Sequence, residues 1–556
     1  MAIPSTETGS SRSGKAFMKS ALLSFAVLAI FLMSAAQTAE RKSSSSSFSE
    51  NLELEKEQFL NSENNKKAYL RLLELERQAL QLADDQPLKL GSIGSAILDL
   101  YSGSQTGHYA MSIFYDHLDS LDAKKLHKDS LDRIQEIMSK ESSGKRDSAY
   151  PVMTINDAKT FIRTSGFSPV GAIYRTTEEI ELGLLVLGRQ KQKPLEYWFF
   201  DLSEVLAALE PQSINDESQG WPLIRELANA SDSAAQAAIG AYLVNQRKFS
   251  SAVSWLNVAS RQNNLLANSL LGRAYWSQSR LAKTDKTRQE KLELAQENYL
   301  QAIALGSTES MYTLASLYLQ NHYGENNEQA ALSLLNQAAS LNHVESLLYL
   351  GQLYNSGSNS VQRNISQANQ YFKKAATLGD EAAAIMYGRF LVNQRDTELE
   401  SGSIVTWLKE HASKESAEAM VILGNLYATG TEVKPSNNAA IRWYKKAVRQ
   451  DEEDSDIVNE VAWTLTVSDI KGLKRPKYAK KIMDRLMNSS ARARSQPEYL
   501  DTWAATYAAS GDFEKALTLQ EQAIDVANRD RIDVIDILRE HLELFRDGKT
   551  VTEKAP

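Results

Sequence analysis

The chain has no cysteine among its 556 residues. Disulfides, thiolate zinc sites, thiol catalysis and a lipid-bearing N-terminal cysteine are therefore excluded. It also lacks a basic balance. The net charge is −8, and −10 once residues 1–36, with Glu7 against Arg12, Lys15 and Lys19, are set aside. That sign argues against nucleic acid or an anionic lipid face as principal partner. The seven histidines (His108, His117, His127, His322, His343, His411 and His541) form no HExxH or other paired-ligand spacing, so no metal is expected. GSIGS (91–95) has the glycines to hold an anion but no P-loop lysine, and reads as a turn and helix cap. Ser95, Asp99 and His108 are the residue types of a triad without its order, and Asp201 and Glu204 read as first-turn helix charges. No cofactor and no catalytic residue are expected.

What the chain does have is a repeated hairpin. In Ser416–Asp451, SAEAMVILGNLYATGTEVKPSNNAAIRWYKKAVRQD, Leu423, Gly424 and Tyr427 share one helical stripe. Gly424 lets a second helix approach closely. Gly430 supplies a turn, Pro435 a stop and Ser436 an N-cap before a helix bearing Ala440 and Ala447. The glycine, or an alanine, recurs at Gly240, Gly272, Ala315, Gly351, Gly388, Gly424, Ala462 and Ala504. The alanine pair recurs at Ala252/Ala259, Ala295/Ala302, Ala331/Ala338, Ala368/Ala375, Ala440/Ala447 and Ala516/Ala523. Asn263, Gly306, Asn342, Gly379 and Asp451 stand where these helices end, as left-handed terminal residues would. A period of 32 to 43 residues with helix-turn-helix content predicts a solenoid.

Two link lengths divide the repeats. LGNLYATGTEVKPSNNAAIRWYKKAV, with a long link, resembles the Sel1-like repeat; WAATYAASGDFEKALTLQEQAI, with a short one, resembles the tetratricopeptide repeat. The resemblance spans about residues 234–526. It implies a mainly α fold, a right-handed α/α superhelical solenoid of eight hairpins. It also implies binding of protein partners along two rows of the first helices, one and four places after the glycine. The first row is Arg273, Ser316, Gln352, Arg389 and Asn425; the second is Trp276, Leu319, Asn355, Val392 and Ala428. Repeated Lys and Arg of a carboxylate clamp are missing. Without cysteine, the chain is neither a Sel1-like protein with one disulfide per repeat nor a Sel1-like lipoprotein.

Ahead of the repeats, Ala21–Ala36 (ALLSFAVLAIFLMSAA) follows a basic flank. Its sixteen residues make about 24 Å of helix, short of a bilayer core of about 30 Å. Residues 1–36 read as a cleavable signal peptide, the true start lying at Met1 or Met18, or as an uncleaved anchor, with a buried helix as the third reading. Both leading readings place the protein outside the cytosol, periplasmic or held at the inner membrane, with membrane contact only through this segment. Residues 37–50 are a serine-rich linker. Residues 51–220 are an N-terminal domain of no recognised family, α+β or mostly helical, with a small β-meander at about 170–203.

At the other end, 529–546 carries Ile532, Ile535, Leu538, Leu542 and Phe545 on one stripe and is expected to cap the solenoid on Leu517, Gln520 and Ile524. The tail 547–556 is expected to be disordered. The function these features point to is a non-catalytic protein–protein interaction scaffold of the cell envelope. The alternative is an enzyme or ligand-binding domain at 51–220 carried by a repeat arm.

Overall fold

The computed structural model describes residues 48–140, 142–175, 182–210, 220–358, 361–393, 403–530 and 532–554. The apolar segment 21–36 lies outside them. Among the described residues no helix is long and apolar enough to cross a membrane. The chain divides into two compact units, residues 1–311 and 312–556. The division falls inside the repeat run, within α13 (Thr308–Leu319), rather than at its start near 220–234.

The first unit begins with helices α1 (48–60), α2 (Asn65–Leu82), α3 (Leu90–Leu100), α4 (Gln105–His117) and α5 (Leu121–Ser139). Then come β1 (Tyr150–Pro151), α6 (Ile155–Thr164), β2 (Ser168–Arg175), β3 (Gly183–Arg189), β4 (Glu196–Asp201), α7 (Ser203–Leu209) and α8 (Trp221–Asn229). The meander is present: β2, β3 and β4 pair antiparallel. Its turn at 176–181 lies outside the described residues. Two-residue β1 adds a parallel edge, giving the order β1-β4-β3-β2. β3 is buried along nearly its whole length, as a strand covered on both faces must be.

The sheet was expected to lean on the helices before it. It also packs on those after it, α9 (Ser233–Asn245) and α11 (Leu265–Arg280), the first helices of two repeat hairpins. Asn264, the N-cap of α11, donates from Nδ2 to the Ala172 carbonyl at 2.7 Å. The amide thus satisfies the outer edge of β2, which would otherwise present open backbone groups. The Tyr174 hydroxyl donates to Asp232, the N-cap of α9, at 3.0 Å. Helices α10 (Phe249–Ser260) and α12 (Asp285–Ala304) complete the two hairpins.

GSIGS is not a turn. It lies inside α3, where Gly91 and Gly94 admit Phe114 and Met111 of α4; a Cβ would stand 2.6 and 2.8 Å from those side chains. The glycines serve helix packing in the first turns of α3.

In the second unit, α14 (Glu328–Ser340) follows α13. The pairs α15/α16 (Val344–Ser356, Ile365–Thr377), α17/α18 (Glu381–Asn393, Ser403–Ser413) and α19/α20 (Ala417–Thr429, Asn437–Gln450) come next. The last are α21/α22 (Ser455–Val467, Pro476–Ser489) and α23/α24 (Pro497–Ala508, Phe513–Asp530). From α9 to α24 the described residues hold the eight expected hairpins, each carrying its glycine or alanine on the first helix, and no strand. The close approach is literal at Gly424: a Cβ there would lie 2.3 Å from the Tyr444 ring, whose hydroxyl reaches past it into the first helix. Helix ends follow the residue types. Asn263, Gly306, Asn342 and Gly379 have φ of 55°, 105°, 63° and 89°. Asp451 departs from the set, ending α20 at φ −138°.

Helix α25 (Ile535–Arg546) buries Ile535, Leu538, Leu542 and Phe545 and packs on α24. Gln520, fully buried, donates to the Leu538 carbonyl at 3.0 Å and to Asp501 at 2.7 Å. The expectation for the tail is overturned through residue 554. Val551 is only 4% exposed, and Glu553 forms a parallel bridge with Ser468. The lack of a helical stripe hid this, because two residues of one extended segment suffice to dock it.

Candidate functional site

The two rows of first-helix residues fall on both units. In the first, Arg273 on α11 is exposed and Trp276 is half-buried, with the Arg280 guanidinium 5.1 Å over its ring. In the second, Gln352 and Asn355 on α15 are exposed, while Ser316 and Leu319 on α13 are half-buried. Arg389 on α17 donates to both carboxylate oxygens of Glu460 on α21, at 3.1 and 3.0 Å. Asn425 on α19 is 3% exposed. It donates to Glu460 at 3.5 Å and accepts the Tyr444 hydroxyl at 2.7 Å. Val392 and Ala428 are buried.

Three row residues of the second unit thus face inward, and Arg389 is paired with Glu460. Asn425 is not a groove residue but the acceptor that a buried tyrosine requires. The signal was readable: the position four after the first alanine holds Tyr299, Phe372 or Tyr444, and a buried tyrosine needs a polar partner where phenylalanine needs none.

The first unit holds a polar cluster that sequence reading missed. Glu76 on α2 and Asp157 on α6 are fully buried. Ser104, the N-cap of α4, donates to Glu76 at 2.7 Å; Thr154, the N-cap of α6, donates to it at 2.6 Å. Asp157 accepts from the Thr106 amide and hydroxyl, both at 2.9 Å. Burial pushes the Glu76 carboxyl well up, and the neighbouring Asp157 adds to the shift. Burial raises Asp157 too, against the hydrogen bonds from Thr106. Burial therefore disfavours charging both carboxyls at once.

Asp157 also faces a cavity of about 180 Å³. Its wall is largely apolar, with Tyr101, Ile134, Ile137, Met138 and Met153, and its rim carries Lys56, Glu53 and Glu204. Lys56 is already bound to both rim glutamates.

The triad types do not meet. Ser95 and Asp99 are exposed on α3, while His108 faces the Ser102 carbonyl at 3.0 Å and His127 at 3.1 Å. Burial and the neighbouring His127 push His108 down to about 4. Asp201 accepts from the Ser203 amide at 2.8 Å, holding the start of α7. Among the described residues no group of three or more His, Asp or Glu could hold a metal ion.

Comparison with known proteins agrees with the repeat pattern. The Sel1 repeat family model matches residues 308–343, 344–380 and 417–452, the three hairpins with the long link. The "Chitin synthase regulator SKT5" of Saccharomyces cerevisiae is 29% identical over 154 residues, 27% of this chain and 22% of that protein. The chain thus matches less than a quarter of that relative's length. Among solved structures, a Sel1 repeat protein from Oxalobacter formigenes aligns with TM-score 0.39 and 17% identity, over 58% of this chain and 92% of that one. A protective antigen with the SLR fold from uropathogenic Escherichia coli aligns with TM-score 0.33 and 14% identity, over 88% and 97%. Neither likeness adds to what the hairpins themselves show. Sel1 repeats generally mediate protein–protein interactions. This chain carries three Sel1 repeats inside a longer run of helical hairpins, eight among the described residues.

Proposed function

We propose that the protein is a non-catalytic scaffold of the cell envelope that assembles partner proteins on its repeats. The observation that carries this is the run of hairpins whose first helices keep exposed polar side chains, Gln352 and Asn355, where packing asks for none. Export is inferred from Ala21–Ala36 and the absence of cysteine. The yeast relative, named as a regulator of chitin synthase, is in keeping with an adaptor role. Because α9 and α11 hold the sheet, deleting 234–526 would damage the first unit. Point substitutions are the cleaner test. Gln352→Glu with Asn355→Arg should abolish capture of specific partners from envelope fractions at unchanged thermal stability. Equal capture by the variant would contradict the reading. A C-terminal phosphatase fusion should be active; an inactive fusion with cytosolic protein would refute export.

A second reading is favoured by the cavity beside Asp157: a small-ligand site in the first unit. A saturable rise in Tm with a small amine, lost in Ile137→Trp, would support it. No rise across a panel of amines and carboxylates would dismiss it.

A further inference from the structure

The two groove rows continue into the last hairpins of the second unit, where they are occupied. Trp463 stands one place after Ala462, and Ala505 and Ala508 stand one and four places after Ala504. Val551 is buried among Ala505, Ala508, Val467 and Phe545. Two residues on, Glu553 accepts from Trp463 Nε1 at 2.9 Å. Its amide donates to the Val467 carbonyl at 3.0 Å, and its carbonyl accepts from the Asp469 amide at 2.8 Å. Lys474 donates to the Thr552 hydroxyl at 3.3 Å. Thr550, Thr552 and Lys554 are exposed, so the segment shows strand alternation with one face on the protein.

Every group that holds this segment is of a kind that another chain could satisfy equally. The backbone pair on Val467–Asp469 is the strand-addition mode of peptide binding, with a pocket for an alternate side chain. Only one side chain of the segment, Val551, is fully buried, and the residues joining it to α25, Asp547 to Lys549, are exposed. Gly548 sits there at φ +66°, a ready pivot.

We propose that Trp463, Val467–Asp469, Ala505 and Ala508 form a docking groove for an extended partner segment carrying an aliphatic residue two places before an acidic one. Residues 549–554 are its internal, displaceable occupant. The inference rests on reading the repeats as a protein-binding surface and names the chemistry that one part of it accepts. A tether presents its own segment at an effective concentration of about millimolar. The intact chain therefore binds such a peptide weakly until a better ligand displaces the segment.

The test uses a fluorescent peptide, GKTVTEKA, and anisotropy titration against two proteins: the full chain and the chain ended at Gly548. The shortened chain should bind saturably, at least tenfold tighter than the full chain. Binding should vanish when the peptide's valine becomes aspartate, and fall several-fold in the Trp463→Phe protein. A folded shortened chain that does not bind, or binds no better than the full chain, would overturn the proposal. Should the shortened chain not fold, a full-length Val551→Asp, Glu553→Gln variant opens the same groove and should give the same tenfold gain. Failure of both to fold would show that the segment is a fixed part of the structure and would equally overturn it. Loss of partner capture at Gln352 and Asn355 is read separately, so failure here leaves that result standing.

Discussion

Arg389 and Glu460 meet through two parallel hydrogen bonds, 3.1 and 3.0 Å, though 71 residues separate them. Asn425 lies beside them, joined to Glu460 and to the Tyr444 hydroxyl. The cluster ties the first helices of three hairpins together. Its pair is partly exposed, so a double-mutant cycle on Arg389→Ala and Glu460→Ala should give a coupling of about 0.5–1 kcal/mol, weakened by salt. Asn425→Ala should cost more, about 1–3 kcal/mol, because it strands a buried hydroxyl. Urea unfolding checks the order; an Asn425 variant as stable as wild type would refute the assignment.

The hairpin lock predicts a second-site rescue. Gly424→Ala places a Cβ against the Tyr444 ring and should destabilise by about 1–3 kcal/mol, the usual cost of overpacking. The loss should be smaller in a Tyr444→Ala background, where the ring that the Cβ meets is gone. Gly379→Ala is the contrast. Nothing lies within 4 Å of its Cβ, yet φ is +89°, so it should destabilise through backbone strain with no side-chain rescue.

The hairpins were legible because close helix approach forces a glycine or alanine at a fixed offset, and the offset repeats. The meander was legible from its β-branched runs. Other features had no local sign. Asn264 covers the edge of β2 across 92 residues, and nothing near either residue announces the contact. The partners of Glu76 are spread over Ser104, Thr154 and Asp157, too far apart for any spacing rule. GSIGS misled because glycine at a turn and glycine at a helix crossing look alike in one sequence. The docked segment was missed because Val551 and Glu553 are too few to make a period.

The acid pair predicts an unusual pH dependence. The folded Glu76 carboxyl keeps a proton that the unfolded chain loses above about pH 4.5, its ordinary value. The native state then binds more protons than the unfolded one, so stability falls as pH rises from 4.5 until the folded value is passed. The slope is up to about 1.4 kcal/mol per pH unit for one proton. Glu76→Gln removes the titration; its carboxamide can accept from Thr154 while Ser104 turns to Asp157, already 3.3 Å away. Denaturation of the wild type and this variant from pH 4.5 to 8 should show the steeper fall in the wild type, the variant keeping only the slope that buried Asp157 contributes. Parallel curves would mean that burial does not raise the Glu76 carboxyl.

Leu538 is 2% exposed on α25. Leu538→Ala should cost about 2–4 kcal/mol, the range for a buried leucine. Because each repeat leans only on its neighbours, hydrogen exchange should quicken first in α23 and α24. Uniform quickening across the second unit would show that α25 is not a cap.

The absence of cysteine gives the scaffold reading its most direct test, since one introduced thiol is unique in the chain. A photocrosslinker on Gln352→Cys, on the first helix of its hairpin, is compared with one on Ser333→Cys, exposed on the second helix of the hairpin before it. The account predicts discrete crosslinked partner proteins from intact cells at position 352 and none at 333. Crosslinks at 333 alone, or at neither position, would contradict it.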